Sequence, residues 1–300
     1  MTTAFDVDRV SRRFPGREAP ANDDISLSIA EGSFFGLLGS NGAGKTTLVK
    51  HLIGLLAPDS GEVRLHGRPV LADPRRTAMT IGYMPQSAFA VSSLTVREAV
   101  YFTGRLRGLP SARARVARDA LLEELELGRF GRKVVRQLSG GERRLLQLGV
   151  TLVADPPVLV LDEPTNELDP ARRRQVWDLL AERHRSGGHT VVLITHNAVE
   201  AEQVLEQVGI LRDGRLVALG TPAELKAGLS RTVRVSLTAA ADGLDLPGYV
   251  RVERAHGRRV VGHLDAADVG RLARDVDLSR LPELTLSTVT LDDVYLRHAG

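Results

Sequence analysis

The chain of 300 residues contains no cysteine and no long uninterrupted hydrophobic run. Without cysteine, it can form neither a disulfide nor a thiolate metal site. A membrane-spanning helix needs about 20 consecutive apolar residues, whereas the most apolar stretches, Val158–Leu161 and Val191–Ile194, have only the length of a strand. The first residues, MTTAFDVDRV, show neither a basic start nor an apolar segment, so we expect no signal peptide.

Aromatic residues are scarce at 4%, and the formal net charge is only +3 because 37 acidic residues are interspersed among 40 Lys and Arg. Nucleic-acid binding is marked by clustered positive charge. We therefore expect no nucleic-acid partner and interpret most arginines as solvated or locally paired. A hydrophobic content of 43% predicts a globular chain with a true core, and the length favours about two domains.

The hydrophobic pattern indicates an α/β fold. Phe34–Leu38 and the two apolar stretches named above are typical of strands that are buried on both faces. Residues 95–127 have a helical pattern with a break at 108–110, and Asp213-Gly214 predicts a hairpin. After residues 228–230, strand-like segments and a final helix near Leu291 predict a small α+β appendage.

The segment GSNGAGKT at residues 39–46 matches the phosphate-loop pattern G-x-x-x-x-G-K-[ST] between a predicted strand and a predicted helix. Glycines at this spacing let backbone N–H groups point inward, and the helix N-terminus adds its positive dipole end. We expect Lys45 to reach the β- and γ-phosphates and the Thr46 hydroxyl to bind Mg²⁺. An accidental glycine-rich turn is the alternative, which this position in the chain disfavours.

Two carboxylates, Asp162 and Glu163, follow the buried run VLVL. Parallel α/β sheets bind ligands at the carboxyl ends of their strands. We expect Asp162 to hold Mg²⁺ through water and Glu163 to polarise the attacking water. The alternative is a strand that ends in two solvated acids, which the phosphate loop makes the weaker interpretation.

A second candidate anion-binding nest precedes a predicted helix and consists of Ser139, Gly140, Gly141 and Glu142. One nucleotide does not need two nests from one chain, so we expect this nest to serve a nucleotide bound to another subunit. An ordinary start of a helix is the alternative. Gln86 ends the segment IGYMPQ, and His196 follows VVLIT. Neither residue alone indicates a function, so we consider them only together with the phosphate loop, the two carboxylates and the LSGGE nest.

The ordered motifs GSNGAGKTT, IGYMPQ, LSGGE, VLVLDEPT, ELDP and VLITH resemble those of the nucleotide-binding subunit of ATP-binding cassette (ABC) transporters, over residues from about 5 to 229. The resemblance implies an α/β P-loop NTPase core with an antiparallel β subdomain and a helical subdomain. It places the nucleotide-binding domain at residues 1–229, with the helical subdomain at about 87–155. Residues 230–300 are expected to form the small α+β accessory domain.

By this resemblance, two such subunits enclose two ATP molecules head to tail, each between the phosphate loop of one chain and the LSGGE nest of the other. The implied nucleotide-binding residues are Phe14, Gly39, Ser40, Asn41, Gly42, Ala43, Gly44, Lys45, Thr46 and Thr47. Phe14 stands where the family usually has an aromatic residue that stacks on adenine. Simple core packing of Phe14 is the alternative.

The implied catalytic residues are Glu163, His196, Gln86 and Lys45, and the implied Mg²⁺ site consists of Thr46, Gln86 and Asp162. In this interpretation His196 contacts the γ-phosphate, while Asp169 crosses the dimer interface. One departure from the family pattern is Glu167, where a small residue is common. Its carboxylate is expected to alter dimer closure or partner choice without damaging any hydrolytic residue.

The segment LGTPAEL at 219–225 and the terminal TLDDVYLRHAG resemble the ATPase subunits of daunorubicin-resistance type exporters. This implies an ATPase that drives efflux of a drug-like substrate as a homodimer. It would act on the cytoplasmic face of the cell membrane through a separate polytopic permease. The alternatives are export of a lipid, polysaccharide or peptide, and a non-transport ABC ATPase on the ribosome or DNA. The alternative for the C-terminal segment is that it only stabilises a dimer and has no influence on the substrate.

Overall fold

The computed structural model describes residues 2–87, 92–195, 202–229, 231–238, 246–276, 281 and 283–299. They form two compact units, Met1–Thr221 and Pro222–Gly300. The contacts within the chain assign the segment from Pro222 onward to the second unit. The domain boundary that the sequence places at 229/230 stays a prediction. None of the helices in these ranges combines the length and apolarity that crossing a bilayer requires.

The first unit is built on two sheets. Its strands are β1 (Thr3–Arg12), β2 (Asn22–Ala30), β3 (Phe34–Gly39), β4 (Ser60–Leu65), β5 (Arg68–Pro69), β6 (Ile81–Met84), β7 (Val158–Asp162), β8 (Thr190–Ile194), β9 (Gln207–Arg212) and β10 (Arg215–Gly220). A four-stranded antiparallel sheet has the order β2-β1-β4-β5, and a six-stranded sheet has the order β10-β9-β3-β8-β7-β6.

The six-stranded sheet is parallel from β9 to β6, with β10 antiparallel at its edge. Every residue of β3, β7 and β8 is buried, which explains their continuous apolar sequences. These strands confirm the predicted runs. Because they are parallel, Gly39, Met84 and Asp162 end their strands at one edge of the sheet, where the candidate site lies.

The helices of the first unit are α1 (Lys45–Leu52), α2 (Pro74–Thr80), α3 (Val96–Leu106), α4 (Ser111–Glu124), α5 (Gly140–Leu152) and α6 (Pro170–Gly187). Leu48 and Leu52 of α1 share one core with Phe5 and Ile25 of the antiparallel sheet and with Val160 of β7. This core joins the two sheets through α1. The helix-rich segment from α3 to α5 follows in the chain.

Two predicted local features are confirmed. The helical segment breaks between α3 and α4, where Gly108 has a φ of +85°. Asp213 and Gly214 both have positive φ, at 48° and 79°, as a tight two-residue hairpin between β9 and β10 requires.

The second unit contains α7 (Pro222–Ala227), β11 (Thr232–Thr238), β12 (Arg251–His256), β13 (Arg259–Asp265), α8 (Val269–Asp275), β14 (Glu283–Thr288) and α9 (Leu291–Ala299). Its antiparallel sheet has the order β12-β13-β11-β14, and Leu237, Leu264 and Leu272 belong to its own core. The strand β12 covers Arg251–His256. It is largely exposed, so its sequence lacks a clear apolar alternation that would fix its bounds.

Candidate functional site

The phosphate loop between β3 and α1 fits tightly against neighbouring backbone. Gly44 has a φ of +101°, and a Cβ there would lie 2.2 Å from the Ala21 carbonyl oxygen. A Cβ on Gly39 would lie 2.6 Å from the Leu211 carbonyl oxygen. Below the loop, the Gly214 N–H of the β9–β10 hairpin donates to the Ala43 carbonyl at 3.1 Å. Gly39 and Gly44 therefore permit a loop that any side chain at these two positions would distort.

Lys45, at the start of α1, lies within this loop. Its Nζ donates to the carbonyl oxygens of Gly39 at 2.7 Å and of Ser40 at 3.0 Å. Burial lowers the pKa of Lys45, while the charges of Glu163 and Asp162 act to raise it. The ammonium is thus held at the loop by neutral acceptors, which negatively charged phosphate oxygens would outcompete.

Asp162 ends β7 and is only 3% exposed. Burial and then the neighbouring Glu163 charge raise its pKa to about 6, against the opposing effects of Lys45 and Arg144. Its Oδ2 atom is buried and has no hydrogen-bond partner among the described residues. A buried carboxylate oxygen without a donor fits a divalent cation, because Mg²⁺ prefers carboxylate, hydroxyl and water ligands.

Glu163 follows Asp162 with a φ of +53°, which is unusual for a residue with a side chain. Its N–H donates to the Ile194 carbonyl at 2.8 Å. Its Oε2 accepts a hydrogen bond from the Thr195 hydroxyl at 3.3 Å. The carboxylate is buried at 6% exposure and oriented by Thr195, which directly follows β8.

A cleft of about 300 Å³ brings most of the predicted residues together. The predicted members of its lining are Ser40, Asn41, Gly42, Gly44, Lys45, Thr46, Thr47, Gln86, Asp162 and Glu163. Arg17 and Ala21 also line it. Sequence reasoning missed both, because they lie in the irregular β1–β2 connection, which carries no motif.

Among the described residues, three that were predicted to bind the nucleotide are not part of this lining. Gly39 ends β3 against the Leu211 backbone, and Ala43 is buried beneath the loop at 2% exposure. Phe14 is half-buried, and its ring lies 5.2 Å from the Arg12 guanidinium, so its stacking on adenine stays a prediction. His196 lies outside the described residues.

The LSGGE nest forms the N-terminus of α5. The Ser139 hydroxyl accepts from the Glu142 N–H at 3.3 Å, and the Glu142 carboxylate accepts from the Ser139 N–H at 2.9 Å, which is a capping box. Within the described part of the chain, none of Ser139, Gly140, Gly141 and Glu142 lines the cleft. Their role towards another subunit's nucleotide stays a prediction.

The loop between β7 and α6 lies against this nest. A Cβ on Gly140 would lie 2.2 Å from Glu167 Oε2, so the Glu167 carboxylate directly adjoins the nest of its own chain. Asp169 caps α6 by accepting from the Arg172 N–H at 3.0 Å. The cap gives Asp169 a local structural role, and its predicted role at a dimer interface stays a prediction.

The second unit contains a larger cavity of about 750 Å³. Glu253, His263 and Asp293 line it with potential ligand atoms within 4.8 Å of one another. However, Asp293 Oδ1 accepts from Arg234 and His263, and its Oδ2 accepts from the Thr290 N–H and hydroxyl. Both oxygens of the Asp293 carboxylate thus accept hydrogen bonds from protein groups, and these bonds anchor α9. We assign no metal to this cluster.

Comparison with known proteins gives a consistent result. A family model described as ABC transporter matches residues 22–166, and one described as AAA domain, putative AbiEii toxin, Type IV TA system matches residues 134–202. Daunorubicin resistance ATP-binding protein DrrA3 of Streptomyces coeruleorubidus is 42% identical over 99% of this chain and 96% of its own length. Nod factor export ATP-binding protein I of Ralstonia nicotianae is 39% identical over 75% of this chain and 69% of its own length.

Among solved structures, a dimeric, post-hydrolysis ATP-binding cassette bound to ADP and Pi is similar. It has a TM-score of 0.67 and 25% identity, and the match covers 72% of this chain and 98% of that chain. This similarity and the sheet order confirm the predicted fold class, an α/β nucleotide-binding core with an antiparallel β part and a helical part.

Proposed function

The chain belongs to the ABC transporter family as an ATP-binding subunit, and from this premise we propose that it drives export of a drug-like compound through a separate membrane permease. Membership of this family makes it an ATPase. The observation that carries the proposal is the cleft, in which the phosphate loop, Gln86, Asp162 and Glu163 line one space. This arrangement unites groups for binding phosphates with groups for activating water.

We assign the following roles within the cleft. Lys45 exchanges its bonds to the Gly39 and Ser40 carbonyls for bonds to phosphate oxygens. Asp162, Thr46 and Gln86 are the residues that would hold Mg²⁺, whose chemistry when bound is to neutralise phosphate charge. Glu163 is the group that orients and polarises the attacking water, and its Oε2 is fixed by Thr195.

The nest at Ser139–Glu142 supports a homodimer, because it lies outside its own chain's cleft. In the proposed dimer it contacts a nucleotide held by the partner, as the dimeric state of the similar solved cassette suggests. Closure would bring that nucleotide close to Glu167, which adjoins Gly140. We propose that closure is driven by ATP binding and reversed by hydrolysis.

Export is supported by the two named relatives, one for daunorubicin resistance and one for Nod factor export. The first name refers to resistance to a drug, and the second refers to export of a different compound. We propose a drug or antibiotic as the substrate class, since that relative matches almost the whole chain. The second candidate is another exported compound, such as a lipid, polysaccharide or peptide. In either case the chain would lie on the cytoplasmic face of the membrane, held by the permease.

The hydrolytic assignment is tested with Glu163→Gln, which keeps the side-chain size and removes the base. Loss of such a group typically lowers the rate by about 10²–10⁴-fold. We expect this loss with ATP binding retained, measured by phosphate release and by titration calorimetry. Glu182→Gln is the matched control, because Glu182 is an exposed residue of α6 and should leave the rate unchanged. A Glu163→Gln rate close to wild type would refute the assignment.

The transport assignment is tested by trapping. Glu163→Gln with ATP should form a stable dimer, and this dimer is used to capture partners from gently solubilised membranes of the native organism. A polytopic membrane protein in stoichiometric amount, identified by mass spectrometry, is the expected result. Recovery of ribosomal or DNA-repair proteins without such a partner would keep the ATPase and exclude the exporter.

A further inference from the structure

Arg144 is a buried cation on α5, two residues after the LSGGE nest. It is only 6% exposed, so it is an exception to the expectation that most arginines are solvated or locally paired. Burial lowers its pKa, while the charges of Asp162, Glu163 and Glu167 raise it. Burying a cation costs free energy unless its hydrogen-bond donors are satisfied. The acceptors that surround the Arg144 guanidinium therefore explain how it can be buried.

The Arg144 guanidinium donates to backbone carbonyls on two strand ends. At the end of β7, its Nε donates to the Glu163 carbonyl at 3.1 Å, and its Nη2 donates to the carbonyls of Asp162 and Glu163. After β6, its Nη1 donates to the carbonyls of Pro85 at 3.0 Å and Gln86 at 3.3 Å. One planar group therefore joins the backbone of both proposed hydrolytic residues.

Gln147, one turn further along α5, extends this connection. Its Oε1 accepts from Arg144 Nη1 at 2.9 Å, and its Nε2 donates to the carbonyls of Pro85 at 2.8 Å and Ser87 at 3.2 Å. The two side chains of α5 thus hold the peptide groups on both sides of Gln86. A displacement of α5 must carry these peptide groups with it or break their bonds.

The Glu163 backbone has a particular need for such support. Its φ of +53° lies in the left-handed region, which costs a residue with a side chain about 1–2 kcal/mol. The N–H of Glu163 is fixed by Ile194, and its carbonyl is fixed by Arg144. The Glu163 carbonyl also accepts from the Asn166 N–H at 3.1 Å, so without the guanidinium it keeps this local bond and loses its bonds to α5. The Glu163 peptide is then no longer held against α5, and a shift of this peptide would displace the carboxylate.

We propose that Arg144 is a positioning residue for hydrolysis, which fixes the backbone of Glu163 and Gln86 relative to the LSGGE helix α5. The inference rests on the proposed roles of Glu163 and Gln86. In consequence α5 has two roles, because the helix that presents the nest also sets the geometry of the water-activating groups in its own chain. Among the described residues, Arg144 is not part of the cleft lining, so it acts through Glu163 and Gln86.

The test is Arg144→Lys, which retains the charge but replaces the planar fork by a compact ammonium with three donors. An ammonium cannot span the carbonyls of both strand ends. We expect kcat for ATP hydrolysis to fall by about 10- to 100-fold, the size of effect that a misplacement of about 1 Å produces. The KM for ATP should change by less than about threefold, because the phosphate loop is untouched.

Arg107→Lys is the matched control. Arg107 is also a partly buried arginine that donates to backbone carbonyls, with Nη2 to Ile81 at 3.0 Å and Nη1 to Ala78 at 3.3 Å. These carbonyls flank the opposite end of β6, away from the cleft. We expect Arg107→Lys to lower the melting temperature as Arg144→Lys does, while kcat stays within about twofold of wild type.

A further variant, Arg144→Ala, tests the same point by rescue. Millimolar guanidinium should restore part of its kcat, and methylammonium at the same concentration should not. Equal kcat losses in Arg144→Lys and Arg107→Lys would overturn the inference, as would a wild-type kcat in Arg144→Lys. Glu163→Gln distinguishes a failure of the proposed hydrolytic site from a failure of this inference: if that variant retains the wild-type rate, the proposed role of Glu163 in hydrolysis fails. If Glu163→Gln is inactive and Arg144→Lys is not, only the role of Arg144 fails.

Discussion

Replacing Asp162 with Asn should stabilise the nucleotide-free chain while abolishing its hydrolytic activity. Asp162 is buried, and its Oδ2 has no hydrogen-bond donor among the described residues. Its ionised form is therefore disfavoured in the folded chain, and its pKa rises from 3.8 to about 6. Asn resembles the protonated carboxyl in shape and is neutral at every pH, so it avoids the penalty of ionisation.

The sign and the size of this effect follow from linkage. Because the folded carboxyl binds its proton more tightly than the unfolded one, wild-type stability falls as the pH rises from about 4 to about 6, and then levels off. At about 1.4 kcal/mol per pKa unit, the full penalty is about 3 kcal/mol at pH 8. At pH 5 the penalty is about half as large, since the folded group is still largely protonated there.

The assay is urea unfolding at pH 5 and pH 8, followed by the fluorescence of Trp177, the chain's single tryptophan, which reports on the first unit. We expect the advantage of Asp162→Asn over wild type to grow about twofold between these pH values, to about 3 kcal/mol at pH 8. The exposed-site variant Glu182→Gln should show no such growth. An advantage that is absent, or equal at both pH values, would refute the argument that burial of the Asp162 carboxylate lowers the stability of the folded chain.

Two further predictions concern the phosphate loop and the second unit. Lys45→Ala should weaken ATP binding by about 10- to 100-fold, because it removes a charged hydrogen bond to phosphate. Calorimetric titration measures this loss. Lys50→Ala, at an exposed position of the same helix, should bind ATP normally. Asp293→Ala should lower the free energy of unfolding of the second unit by about 3 kcal/mol, because it removes the buried carboxylate that accepts from Arg234, His263 and Thr290. Hydrogen exchange in β11 measures this loss, and unchanged protection there would contradict the anchoring role.

The sheet core was predictable because its signal is simple. β3, β7 and β8 are buried on both faces, so burial alone dictates continuous apolar runs. The phosphate loop and the two carboxylates were predictable because their positions follow from those strands. By contrast, α2 buries only Thr77 and β14 is largely exposed, so neither leaves a clear periodic pattern, and both were missed.

The contacts of Arg144 were not predictable for a different reason. Arg143 and Arg144 are adjacent arginines in the segment GERRLL. The helical pattern alone does not reveal which of them faces the two strand ends. Its acceptors are backbone carbonyls, which every residue possesses, so no partner residue type marks the contact. Arg17 raises the same difficulty, since it reaches the cleft from an irregular connection. Contacts to the main chain leave little trace in a sequence.

The loop after β7 holds two glutamates with positive φ, Glu163 at 53° and Glu167 at 63°. Glycine would relieve the backbone at either position. At Glu163 this relief would remove the proposed water-activating carboxylate, so stability and activity oppose each other there. At Glu167 no hydrolytic group is lost. Selection for stability with hydrolysis retained would therefore replace Glu167 and keep Glu163. A glutamate at 167 thus carries a conformational cost that hydrolysis does not require, and its distinguishing feature is the charge that it places beside Gly140.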